Sequence, residues 1–271
     1  MIDKQIRHIT LCFALIFTSC NVFSDPLNSE TPVATTIKIN VGLSIRPPFL
    51  IGNHQQFFGA GPEILAALNK FQQTFHFVAV EIPSKRKQKA LNDGLIDIMM
   101  WDNLNWGWRE KPVQSTAPIV SSKDVYITYA NKTKSQQYFE TLKNKSLALV
   151  IGYHYKLTEF DIEISTLTEH YDATMVRTEE ASIRMTAANR VDIAIVSETA
   201  LNWFFKQYPT VKQLILVSNR IDTQYTRHFI VPNSASISVN ELNQLLQRAL
   251  DANVLQPIYR KYGLTPPSSF L

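Results

Sequence analysis

Residues 95–109 read Leu95-Ile96-Asp97-Ile98-Met99-Met100-Trp101-Asp102-Asn103-Leu104-Asn105-Trp106-Gly107-Trp108-Arg109. The apolar side chains from Leu95 to Met100 form a run too short for a helix pattern, so they predict a buried strand. Three tryptophans and an arginine follow at once in a Gly-containing loop. So much aromatic surface at a strand end has to cover something, either the protein's own core or a ligand.

Upstream, residues 77–82 predict a strand and residues 85–93 a basic helix, so strands and helices alternate as they do in parallel α/β sheets. The stretch from Ala90 to Ile98 can be laid on that from Met185 to Ile193, each with a helix end, a left-handed cap (Gly94, Asn189) and an Asp-Ile strand (Asp97, Asp192). Either the two halves repeat one unit, or this is the junction that recurs throughout α/β proteins.

The remaining elements fit the alternation. Ile37, Ile39 and Val41 alternate with polar residues and predict the first strand, and Arg46-Pro47-Pro48-Phe49 reads as an extended loop because proline donates no ladder bond. A helix opens at Gly59, with Pro62 in its first turn. Strands are expected over 124–130, 146–151, 191–196, 211–217 and 225–231, and a helix over 136–142. Thr178 starts one helix, Ser197 can cap another, and Ser238-Val239-Asn240-Glu241 is a capping box. Pro257 fits the first turn of a last helix closed by Gly263.

The chain has 271 residues, 45% hydrophobic and 18% charged, enough for two lobes with proper cores. Residues 1–24 read as a signal peptide: Lys4 and Arg7, a short apolar run, then small and polar residues up to Ser24. A rival cut before Cys20 would make a lipoprotein. Both cysteines, Cys12 and Cys20, lie in this leader, which suits an exported periplasmic protein without disulfides. The leader carries Lys4, Arg7 and Asp3, so the net charge of +4 falls to +3 without it, too mild an excess for nucleic acid or a membrane surface. Residues 25–36, polar and rich in Pro, Ser and Thr, read as a flexible linker.

The chain resembles the bacterial extracellular solute-binding proteins of family 3, the polar amino-acid group with the type II periplasmic-binding fold. Pro47-Pro48-Phe49 matches that family's turn after the first strand, the helix from Gly59 its Gly-initiated helix, and Gly94 with Asp97 its helix-Gly-x-x-Asp-strand. Ala117-Pro118 sits at its Asp/Glu-Pro-Tyr, and Ile258-Tyr259-Arg260-Lys261-Tyr262-Gly263 matches its terminal motif. The resemblance implies an α/β fold of two lobes, each a mostly parallel sheet flanked by helices, with two hinge crossovers near 124–130 and 227–231. Residues 37–126 and 227–271 would form lobe 1 and residues 127–226 lobe 2. It further implies a monomeric receptor that captures a small carboxylate-bearing solute, amino-acid-like or an aromatic or cationic derivative, for an ABC permease or a membrane sensor. No cofactor, metal or catalytic residue is implied.

Counted from Asp97, the family's ligand-binding arginine falls on Arg109. It reads either as a bidentate carboxylate clamp or as a surface residue paired with Glu110. The family's small hydroxyl positions hold Trp101, Asp102, Leu104 and Trp106. Trp101 and Trp106 are expected in the cleft ahead of Trp108, and Asp102 reads as a ligand-amine acceptor or as an Asx turn. Arg46 replaces an aromatic residue and is either a second anion-binding group or a solvated loop residue. Gly152-Tyr153-His154 replaces Gly-Thr-Thr, which brings Tyr153 toward the cleft, while a lone His154 is more often structural. The lobe 2 acid position falls on Ser197, with Glu198 beside it. Lys85, Arg86, Lys87 and Lys89 read as a solvated helix face. These departures argue against an ordinary free amino acid as ligand.

Two rivals stay open. An enzyme on this fold, similar to the periplasmic cyclohexadienyl dehydratases, would need an acid or base drawn from Asp102, Glu198 or His154. A ligand-free interaction module of a sensor would fill its cleft with apolar contacts.

Overall fold

The computed structural model describes residues 36–53 and 56–267. The expected leader at 1–24, and all of the expected linker except Thr36, lie outside the described residues. Among those described, eleven strands and seven α-helices form the order β1 Ile37–Leu43, β2 Ile51–Asn53, β3 Gln56–Phe58, α1 Ala60–Phe71, β4 Phe75–Glu81, α2 Lys87–Asn92, β5 Ile98–Asp102, β6 Val113–Ser115, β7 Val120–Tyr129, β8 Ser146–Val150, α3 Ile164–His170, β9 Asp172–Val176, α4 Glu179–Ala187, β10 Ile193–Ser197, α5 Glu198–Gln207, β11 Ile215–Pro232, α6 Val239–Asp251 and α7 Gln256–Tyr262. No helix among them is long and apolar enough to cross a membrane.

The fold is the expected two-lobed α/β arrangement. One sheet runs in the order β4-β1-β5-β11-β7-β10-β8-β9, with β6 added to β11. Strands β4, β1 and β5 are mutually parallel, as are β10, β8 and β9. Between these two blocks run the long antiparallel strands β11 and β7, paired from Arg227 opposite Val120 to Ile215 opposite Tyr129. Each parallel block is covered by helices, as parallel sheets require.

Two cores result. In the first, Ile39, Val41 and Leu43 of β1 pack with Ile64, Leu65 and Leu68 of α1 and with α6 and α7. The second is split by its sheet, with Val125, Ile183 and Phe204 on one face and Tyr126, Leu149 and Leu167 on the other. Ile119, Val120, Phe229 and Val231 belong to the first core, whereas Val125, Ile127 and Ile215 belong to the second. The chain therefore passes between cores twice, once in each central strand.

The repeat seen in the sequence has a common structural reason. Gly94 and Asn189 both take left-handed backbone, φ 70° and 53°. Immediately after, the Asp97 carboxylate accepts the N–H of Asn40 on β1 at 2.6 Å, and the Asp192 carboxylate accepts that of Ser146 on β8 at 2.9 Å. Each aspartate thus ties the start of its strand to the parallel neighbour that was laid down earlier in the chain.

Several boundaries differ from expectation. The strand expected at Leu95 begins at Ile98, because Leu95 is still in the exposed turn after α2. Residues 211–214 of the strand expected over 211–217 lie in a 3-10 helix, Pro209–Leu214, and its remainder joins the strand expected over 225–231 in one strand, β11, with register shifts near Ile221. The helix expected over 136–142 is a single 3-10 turn, Gln136–Phe139. Helix α3 and edge strand β9 escaped the pattern because β9 buries none of its residues fully and so shows no clear apolar alternation.

Candidate functional site

Loops at the carboxyl ends of β1, β5 and β8 converge on the central strands β7 and β11 and enclose a cavity of about 450 Å³. This is the position at which open α/β sheets bind ligands, and the volume suits a small molecule.

From the β1 side, the Arg46–Leu50 turn is anchored to helix α1: Ala60 and Gly61 donate their N–H groups to the carbonyls of Pro48 and Phe49, at 3.0 and 2.9 Å. Gly61 leaves no room for a side chain, since a Cβ there would meet Leu43 at 2.2 Å and the Trp101 indole nitrogen at 2.9 Å. The Arg46 guanidinium lies 4.3 Å from the centre of the Tyr153 ring across the cavity. It makes no hydrogen bond or ion pair among the described residues. Burial works against its charge, and the nearby Tyr153 and Glu179 more than offset that effect, so its pKa rises.

The end of β5 supplies Trp101 and Asp102. Trp101 has φ 67°, an uncommon and strained conformation for a bulky residue, and it packs on Phe49 with ring centres 4.7 Å apart. Its carbonyl accepts a hydrogen bond from Arg227 at 3.0 Å. The Asp102 carboxylate is held by Lys87 at 2.7 and 3.0 Å, so this lysine turns inward from the helix face on which solvent was expected. Burial lowers the Lys87 pKa against the pull of Asp102.

The central strands supply Asp124, Tyr225 and Arg227. Arg227 is 2% exposed, its guanidinium boxed by Phe49, Trp106 and Tyr225 at 4.8 to 5.0 Å. It donates to the Tyr225 hydroxyl at 3.3 Å, has no carboxylate partner among the described residues, and its Nε is left without an acceptor. Tyr225 in turn donates to Asp124 at 2.9 Å. Burial, reinforced by Glu179, pushes the Asp124 carboxyl up to about 7.

From the second lobe come Tyr153 and His154. Tyr153 donates to Glu179 at 3.0 Å, and that carboxylate also accepts the Ser197 N–H at 2.6 Å. His154 stacks near Trp106, 6.1 Å between ring centres. Burial, with Lys87 and Arg46 repelling a further charge, holds it down to about 4, so it is neutral at physiological pH.

Of the residues singled out in the sequence, Arg46, Trp101, Asp102, Trp106 and Tyr153 line this cavity; Arg109, Ser197 and Glu198 do not. The turn after β5 coils tightly, Trp108 donating to the Leu104 carbonyl. Trp108 is thereby driven into a small core with Ile82, Ile96, Met99 and Ile230. One position further on, Arg109 points out to solvent and donates to Asn105 at 2.9 Å. Ser197 is buried as the cap of α5, accepting from Ala200, and Glu198 pairs with Lys123 on the surface at 3.1 Å. The second lobe's buried acid near the cavity is instead Glu179, at the start of α4. Arg227, Tyr225 and Asp124 went unremarked in the sequence. Their signal was present: Tyr225 and Arg227 are two apart on a strand, and therefore on one face of a segment expected to cross between the lobes.

No protein-family model matches the sequence, and no curated protein sequence matches it significantly. Solved structures do share the fold. The GluR0 ligand-binding core in complex with L-glutamate superposes with a TM-score of 0.65 at 16% identity, covering 84% of this chain and 99% of its own. An ancestral arginine-binding protein bound to arginine gives 0.62 at 17% identity, with 83% and 97% covered. A histidine kinase sensor domain with similarity to periplasmic binding proteins gives 0.64 at 16%, with 86% and 99% covered. At these identities the likeness is one of fold.

Proposed function

We propose that this protein is a periplasmic solute receptor. Residues 37–126 with 227–271 form one lobe and residues 127–226 the other; they close on a small carboxylate-bearing solute, and the closed form is presented to a membrane transporter or sensor. The observation that carries this reading is the pair of guanidiniums, Arg46 and Arg227, on the wall of an aromatic-lined cavity, neither hydrogen-bonded nor ion-paired to a carboxylate among the described residues. A guanidinium keeps its charge when desolvated and matches a carboxylate with two parallel hydrogen bonds. That the neighbours in fold are ligand-bound cores and a sensor domain agrees with it.

The enzymatic rival is left with less. Of the acid–base groups named from the sequence, Glu198 is outside the cavity and Asp102 is committed to Lys87, which leaves His154; Asp124, in the cavity wall and held up at about 7, joins it as a candidate. A thermal-shift and tryptophan-fluorescence screen of small carboxylic acids tests the receptor reading. Saturable binding that weakens in Arg46→Gln is expected. Turnover of a cyclohexadienyl acid to an aromatic product would contradict it.

A further inference from the structure

The receptor reading leaves open whether the solute carries an amine, and the carboxylates of the cavity bear on that question. An ammonium group bound in a desolvated cleft needs a carboxylate or several free acceptors. Asp102 is occupied by Lys87 and also accepts the Asn103 N–H at 2.9 Å. Glu179 accepts from both Tyr153 and Ser197. Asp124 is bound by Tyr225; its burial and the nearby Glu179 and Asp222 favour its neutral form over the opposing pull of the Tyr225 hydrogen bond and Arg227. Glu163 stands at the exposed rim, where water already solvates it.

The cations are differently placed. Lys87 and Asp102 pair with each other. Neither the Arg46 nor the Arg227 guanidinium is hydrogen-bonded or ion-paired to a carboxylate among the described residues, and the Arg227 Nε has no acceptor. An anionic group would supply the acceptor that these guanidiniums lack; a zwitterion would bring in addition an ammonium that meets carboxylates already hydrogen-bonded within the protein. The ring of Trp106, 4.8 Å from the Arg227 guanidinium, offers a flat apolar wall to the rest of the molecule.

Resting on the receptor reading, we infer that the cavity takes a small organic acid without an ammonium group, its anionic end held by Arg46 and Arg227 and its body against Trp106. Amino acids of the same skeleton are then rejected, because their ammonium would displace water and meet only engaged carboxylates.

Isothermal titration calorimetry on the whole mature protein, with pairs differing only by the amine, tests this. Suitable pairs are succinate and aspartate, glutarate and glutamate, 3-phenylpropanoate and phenylalanine, and 3-(4-hydroxyphenyl)propanoate and tyrosine. The expected result is at least one amine-free acid binding tenfold or more tightly than its amino acid, with no pair reversed. An amino acid that binds more tightly than its amine-free partner, and loses binding in Asp124→Asn or Glu179→Gln, would overturn the inference and leave the receptor reading standing. Binding by none of the eight, nor by any of a wider library of small carboxylic acids, would overturn both.

Discussion

The buried guanidinium of Arg227 donates to the carbonyl oxygen of Trp101 at 3.0 Å, joining the second central strand to the strained end of β5. Three aromatic rings surround the cation. Lysine would keep the charge but lose the planar fork, and with it about 1.5–3 kcal/mol of charge-assisted hydrogen bonding. Calorimetry of Arg227→Lys should therefore show a roughly 10- to 100-fold loss of ligand affinity. Wild-type affinity in that variant would separate Arg227 from binding.

Trp106 and Trp108 are two residues apart and have opposite duties. Trp108 is 1% exposed in a core, so Trp108→Ala should cost about 3–5 kcal/mol in denaturant unfolding. Trp106 faces the cavity, and Trp106→Ala should lower stability far less while removing most of the fluorescence response to ligand. A ligand response that survives in Trp106→Ala would place the reporter elsewhere.

Gly61 allows helix α1 to approach Leu43 and the Trp101 indole. Both obstacles to a Cβ are buried side chains, so Gly61→Ala should destabilise the fold by about 1–3 kcal/mol through overpacking. A melting temperature equal to wild type would show that Leu43 and Trp101 yield without penalty.

Asp124 gives a pH signature. Its carboxyl is held up at about 7 in the folded protein against an ordinary 3.8. Between those values the folded state binds more protons than the unfolded chain, so this group's contribution to stability is fully present below about pH 4 and is lost as pH rises through 7. His154, held down to about 4 from 6.5, acts in the opposite sense below pH 6.5. Asp124→Asn has no proton to lose there and can still accept from Tyr225. Its melting temperature minus that of wild type should grow from pH 4.5 to pH 8; a constant or shrinking gap would show that Asp124 is ionised throughout.

Local junctions were legible in the sequence because their chemistry is local. The capping box at Ser238 forms with Glu241, Thr178 and Ser197 cap α4 and α5, and Gly263 closes α7 in left-handed backbone. The side of the cleft was legible too, since the tryptophan loop ends a buried strand. Depth and rotation were not. Counting residues from Asp97 reaches Arg109, but the tight turn spends its inward position on Trp108. Lys87 reads as one of four cations on a helix face, yet only it reaches a buried carboxylate across the chain. Arg227 lies in a strand pattern that specifies a face without saying that three rings will close around it.

We propose that Arg46 and Arg227, not Arg109, hold the solute. Calorimetric titration of wild type, Arg46→Gln, Arg227→Lys and Arg109→Ala with the tightest-binding acid from the library tests it most directly. Arg109→Ala should match wild type, while each of the other two loses tenfold or more. Loss of binding in Arg109→Ala, with Arg46→Gln and Arg227→Lys unaffected, would contradict it.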